Sequence, residues 1–187
     1  MDEFSYLSVL FSIIVGLTVA EVLQGFRHFL LLRERVRVYW PVLVWGFLLL
    51  VIAAQTWWTS FGLRHRHDWT FAMFAIVLLQ TVLVYMQAGL VFPDFSETDT
   101  IDLRDHYFRQ HRWFFSLLCC ALIVSVSKDL VSDGKLPSRD NLLFHLVFFA
   151  AAATGALTKS EPAHKFLAVF GVIAFGSYIF ALFGRLQ

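Results

Sequence analysis

Charge is what this chain has least of. Asp, Glu, Lys and Arg make up 16% of its 187 residues against 58% hydrophobic ones, and the mean hydropathy is +0.67. Soluble domains carry about 25% charged residues, so the polar groups present here do not cover a soluble surface. Cysteine is also scarce: Cys119 and Cys120 are adjacent, which excludes a secreted disulfide scaffold. Catalytic signatures are missing. There is no Gly-x-Ser-x-Gly elbow, no glycine-rich phosphate loop and no Thr-Val-Gly-Tyr-Gly filter. The spacing of His106 and His111 is not that of a His-Glu-x-x-His zinc hydrolase. Neither enzyme activity nor a bound cofactor is expected. A net charge of +1 singles out no partner, and nucleic acid is not expected among them.

What is abundant is long apolar runs. A bilayer core about 30 Å thick takes about 20 helical residues, and six such windows are present: 4–23 (with helix running on toward 32), 39–61, 70–92, 113–131, 141–157 and 166–183. The connections between them are too short for a soluble domain. The fold expected is therefore all-α, a polytopic integral membrane bundle of six transmembrane helices forming a single membrane domain over 1–187. Only four prolines occur; Pro41 suits a first helical turn, and Pro93, Pro137 and Pro162 fall in connections. Trp40, Trp57, Trp58, Trp69 and Trp113 lie at window ends, as an interfacial aromatic belt requires. The first window opens with Asp2 and Glu3 rather than basic residues, so it reads as a retained span and not a signal peptide.

Orientation follows from Lys and Arg in the connections. The first, third and fifth connections hold nine of them, the other side six, and the contrast is sharpest at Arg27, Arg33, Arg35 and Arg37. This puts the odd-numbered connections in the cytoplasm and both termini outside, in a plasma (inner) membrane. Residues 93–112 form the most polar stretch, where Asp102, Asp105, His106 and Arg109 recur at helical spacing; they read as a solvated loop ending in an interfacial helix. Small residues four apart, Gly16 with Ala20 and Ala151 with Gly155, mark close helix contacts within the chain or with a second copy. So small a bundle is expected to form a homo-oligomer, most simply a dimer.

Polar side chains inside spans are costly and point to function. Glu21, Gln24 and His28 share one face of the first window, Gln80 and Gln87 one face of the third, and Gln55 with Thr59 one face of the second. If these three helices cluster, the groups form a staggered polar track for a cation or proton, with Glu21 as its charged element and His28 at the inner mouth. The leading expectation is thus a small channel or transporter-like protein. A second is a non-transporting scaffold or sensor that binds a cytoplasmic protein through its basic first and acidic third connections. A third is a cofactor-binding redox protein, for which His28 and His145 lie at unmatched depths. Weak metal candidates are His106 with His111 on one side, and His65, His67 and Asp68 on the other; both sets are short of ligands. These four histidines read instead as exposed loop residues, which need no ligand to explain them.

Overall fold

Side chains write three of the six helix starts. The Thr70 hydroxyl accepts from the Met73 amide at 3.2 Å, Asp102 accepts from the Arg104 amide at 2.9 Å and the Asp105 amide at 3.2 Å, and Ser138 accepts from Asn141 at 3.4 Å. Pro41 occupies the first turn of its helix, where a missing N–H costs nothing. In the computed structural model, which describes residues 3–65, 69–95 and 100–182, these signals frame six helices. They are α1 (Glu3–Leu31), α2 (Trp40–Ser60), α3 (Phe71–Val91), α4 (Leu103–Asp133), α5 (Arg139–Leu157) and α6 (Glu161–Leu182). All six are long and apolar enough to cross a membrane. Gly134 ends α4 in the left-handed region at φ +64°, a conformation that favours glycine.

Two starts differ from the sequence reading. The Asp102 cap begins α4 ten residues before 113, so the second half of the polar stretch is the first three turns of one 31-residue helix and not a separate interfacial helix. At about 1.5 Å per residue α4 is roughly 46 Å long, which exceeds a bilayer core of about 30 Å. Its exposed Trp113 lies ten residues in. Likewise α6 begins at Glu161 rather than 166, which places Pro162 in a first turn instead of a connection.

The helices meet in the order α2, α3, α4, α5, α6 and back to α2, forming a five-membered ring, with α1 packed on its outside against α2 and α3. Two short strands, β1 (Val36–Arg37) and β2 (Ile101–Asp102), pair in parallel with Val36 opposite Ile101. They tie the first and third connections together at one end of the bundle. Arg104 of α4 and Glu161 of α6 are joined at the same end at 2.8 Å, and Lys165 adds a second bond to Glu161 at 2.7 Å. We call this the loop end. Phe4 meets Trp69 at the opposite, terminal end.

The core is largely aromatic. Trp45 of α2 stands edge-on to Phe114 and Phe115 of α4, with ring centroids 5.5 and 5.3 Å away, which brings α2 and α4 together across the ring. Glycines make the room. A Cβ on Gly155 would stand 2.8 Å from the Phe115 ring, and one on Gly171 3.3 Å from Trp45. Phe92, just past α3, lies against both Gly25 of α1 and Gly46 of α2. The small pair Gly16 and Ala20 is different: both residues are exposed, and Gly16 has nothing within 4 Å of its absent Cβ. Gly155→Ala should therefore lower stability by about 1–3 kcal/mol through overpacking of a fully buried ring. Gly16→Ala should be neutral or mildly stabilising. Thermal unfolding of the two variants in one detergent measures the contrast.

Candidate functional site

Ring closure leaves a cavity of about 130 Å³ between α2, α3, α4, α5 and α6. Its polar lining comes from all five of these helices: Gln55 and Thr56 on α2, Gln80 and Gln87 on α3, Ser125 on α4, His145 on α5 and Tyr178 on α6. Aromatic rings, among them Trp45, Phe115 and Phe148, supply much of the rest, and among the described residues no Asp, Glu, Lys or Arg lines it. An apolar cavity of about 150 Å³ stays dry and accepts a benzene-sized guest. This one differs because two of its polar atoms have no protein partner. Gln87 is 1% exposed; its Nε2 donates to the Leu83 carbonyl at 3.2 Å, while its Oε1 is unpartnered. Gln80 Oε1 is also buried without a partner, whereas the Trp45 indole N–H is directed at the Tyr107 hydroxyl. A buried polar atom left unpaired costs about 1–3 kcal/mol, so the cavity favours occupants that hydrogen-bond.

Toward the terminal end the cavity is closed by a paired network. A carbonyl oxygen only accepts, so His145 carries its proton on Nδ1, donating to the Asn141 carbonyl at 2.8 Å. Its Nε2 therefore accepts from the Ser125 hydroxyl at 3.0 Å. The Tyr178 hydroxyl donates to the Asn141 side chain at 3.3 Å. The loop end holds a second cluster. His164, 0% exposed, donates from Nε2 to the Thr158 carbonyl at 3.0 Å, and so its Nδ1 accepts from the Tyr107 hydroxyl at 2.9 Å. The His111 ring stands 5.4 Å from His164, edge to face, leaving no gap for a macrocycle between them. Tyr39 lies tilted against Tyr107, with ring centroids 5.3 Å apart.

The sequence-derived candidates divide between two places. Gln55, Gln80 and Gln87 converge on the cavity, on the side of α2 and α3 that faces the rest of the ring. Glu21, Gln24 and His28 stay on α1, which contributes nothing to that lining. Among the described residues Glu21 has no ion-pair partner within 4 Å; Gln24 is exposed, and His28 lies against Phe95. Clustering of the first three helices does occur, yet the two polar faces do not merge.

The reading of His106 and His111 as exposed loop residues is corrected: both are buried, because α4 starts at Leu103. His106 donates from Nε2 to the Leu90 carbonyl, and His111 from Nδ1 to the Phe108 carbonyl. Five residues apart on one helix, they face different neighbours, and among the described residues no three His, Cys, Asp or Glu stand together as a metal site. The side chain of His65, together with His67 and Asp68, lies outside the described residues.

Sequence reasoning missed Tyr107, Ser125, His164 and Tyr178. The signal for His164 was present in Ser160-Glu161-Pro162, a helix-start pattern of a polar cap, an acid and an early proline.

Three expectations follow. Gln87→Leu and Gln80→Leu should hold or raise the melting temperature, since each removes an unpaired buried group. His164→Leu should lower stability by about 1–3 kcal/mol or more, because it strands the Tyr107 hydroxyl and the Thr158 carbonyl. Burial, reinforced by the Glu161 carboxylate and opposed by Arg104, pushes the Tyr39 hydroxyl up to about 12. A raised folded-state value means its contribution to stability is intact below pH 10 and is lost as pH rises toward 12. Comparing the alkaline unfolding curve of the wild type with that of Tyr39→Phe, which should lack this component, checks it.

No family model, curated protein or solved structure matches this chain.

Proposed function

We propose that this chain is a small transporter-like membrane protein that passes protons through the interior of its five-helix ring. The observation that supports this reading is the pair of unpartnered amide oxygens, Gln80 Oε1 and Gln87 Oε1, on residues lining an uncharged cavity. They lie seven residues apart on one helix, about 10 Å along its axis. A file of water held by these amides would extend from the His145–Ser125 pair toward Trp45. Grouped imidazoles and hydroxyls at both ends can hand protons to and from water.

A proton suits the cavity better than a metal cation. Stripping a cation of its hydration costs several kcal/mol or more in a low-dielectric site, and neutral amides without a carboxylate offset little of it. This narrows the cation-or-proton expectation and moves the path from α1 into the ring. The excess of Lys and Arg at the loop end supports placing that end in the cytoplasm and the termini outside, in an inner or plasma membrane. A dimer is compatible with the reading but not required by it, since one chain closes the cavity.

The test is proton uptake into proteoliposomes under an imposed potential, followed with an enclosed pH dye. Wild type should exceed empty liposomes, and Gln80→Leu with Gln87→Leu should reduce the rate at least tenfold while the protein stays folded. Glu21→Gln should leave the rate unchanged; a collapse there would return the path to α1. Wild-type flux no greater than that of empty liposomes would reject transport.

A further inference from the structure

The unmet polar demand of the central cavity is one-sided. Most of its polar lining is already engaged. The Trp45 indole N–H is directed at the Tyr107 hydroxyl, the Ser125 hydroxyl at His145 Nε2 and the Tyr178 hydroxyl at the Asn141 side chain. Gln55 and Thr56 are half-buried, with no buried atom left unpartnered. Among the described lining residues that leaves Gln80 Oε1 and Gln87 Oε1, and both are acceptors only. Gln80 also lines a neighbouring void of about 30 Å³ with Thr56 and Lys128, so water entering there can serve its amide. Gln87 lines the central cavity and not that void. Its orientation follows from its neighbour. A carbonyl accepts only, so the amide nitrogen faces the Leu83 carbonyl at 3.2 Å and the oxygen is turned away from it.

The rest of the lining is mainly apolar, with the rings of Trp45, Phe115, Phe148, Phe170 and Phe175 prominent in it. At about 130 Å³ the space is a little smaller than an apolar cavity of about 150 Å³ that holds benzene. A charged guest would lose its water with no opposite charge to meet it. An alkyl chain would leave the Gln87 oxygen unpaired. A small ring that carries a donor answers both demands, because its faces and edges pack against aromatic side chains while its N–H or O–H pairs the oxygen. We propose that the cavity binds a small uncharged aromatic molecule with one hydrogen-bond donor, which donates to Gln87 Oε1 and packs against the Trp45 and Phe115 rings. The cavity is partly open, so such a guest enters without the helices coming apart. Guest and water file occupy the same space, and the bound guest therefore blocks proton passage. The binding site rests on the cavity alone; the blocking role rests on the proton-passing reading above.

Pyrrole, which has an N–H donor and no acceptor, and furan, a ring of the same size without the donor, are the probes. In lipid nanodiscs of the full chain with ¹⁵N-labelled glutamine, the Gln87 side-chain signal is assigned by its loss in Gln87→Leu. Pyrrole should shift it saturably, and furan should bind at least about tenfold more weakly, since a site built to pair a donor rejects the analogue lacking it. Equilibrium dialysis against empty nanodiscs removes the contribution of lipid. By this measure Gln87→Leu should lose the preference for pyrrole over furan. No saturable shift in wild type, or equal affinity for the two probes, overturns the site. A preference that survives Gln87→Leu overturns the assignment of Gln87 as the acceptor. In proteoliposomes pyrrole should inhibit wild-type proton uptake over the concentration range that shifts Gln87. Saturated binding with undiminished uptake overturns the blocking role while leaving site and transport standing. Absence of wild-type flux removes the transport reading, and the binding data then decide the site alone.

Discussion

The contact of Trp45 with Phe115, seated over Gly155, is the one on which the remaining arrangement depends. Five helices in a ring would leave an open channel down the middle unless something crosses it. Here α2 and α4 are drawn together by an edge-to-face pair at 5.3 Å, and Phe115 reaches that position only because α5 offers a glycine where any Cβ would collide. Gly171 gives Trp45 a smaller allowance from α6, where a Cβ would stand 3.3 Å from the indole. The crossing fixes how far the cavity extends, since Trp45 is its floor. It also fixes what lies beneath, because Phe115 contacts the His164 ring at 5.6 Å. Interiors are close-packed, so a change in this one contact propagates to both cavity and histidine cluster.

Backbone carbonyls do the second piece of organising. Each of the four buried histidines donates one ring nitrogen to a main-chain oxygen: His106 to Leu90, His111 to Phe108, His145 to Asn141 and His164 to Thr158. A carbonyl offers only acceptance, so every tautomer is set without any carboxylate. The rings are thereby oriented in advance, and the free nitrogen of each is an acceptor by default. Three of those four carbonyls lie in helices within the same turn or on the adjacent helix, so the orientation is set by the fold and persists whatever occupies the cavity.

Helix number and type were legible in the sequence because hydropathy over about 20 residues integrates many side chains and tolerates local exceptions. Helix starts were less legible. Asp102 and Ser160 announce α4 and α6, but the residues that follow, Arg104-Asp105-His106 and Glu161-Pro162-Ala163, look like loop to a hydropathy window. Polarity there reflects helices that continue past the apolar slab, capped by Arg37–Asp102 at 3.8 Å and Arg104–Glu161. Half of the candidate pathway residues share one cavity for a related reason. Residues on one helix face can be grouped by period, so Gln80 with Gln87 was accessible from sequence. Which neighbour that face meets depends on ring order, and one chain does not encode in its local pattern that α1 stands outside while α6 closes against α2.

That ring order separates charge from the interior. The described acids and bases lie on α1, at the loop end or at the terminal end, and the described lining of the cavity is neutral. Neutral amides and imidazoles can be buried with modest loss provided water or a neighbour pairs them, whereas a lone carboxylate at the same depth would have to neutralise itself or import a counter-ion. A path built from such groups needs no fixed charge to stay hydrated, because the unpaired amide oxygens give water a reason to be there. It also presents no deep electrostatic well to trap a cation. Glu21, the one carboxylate embedded in an apolar run, stands on the helix that the ring leaves outside.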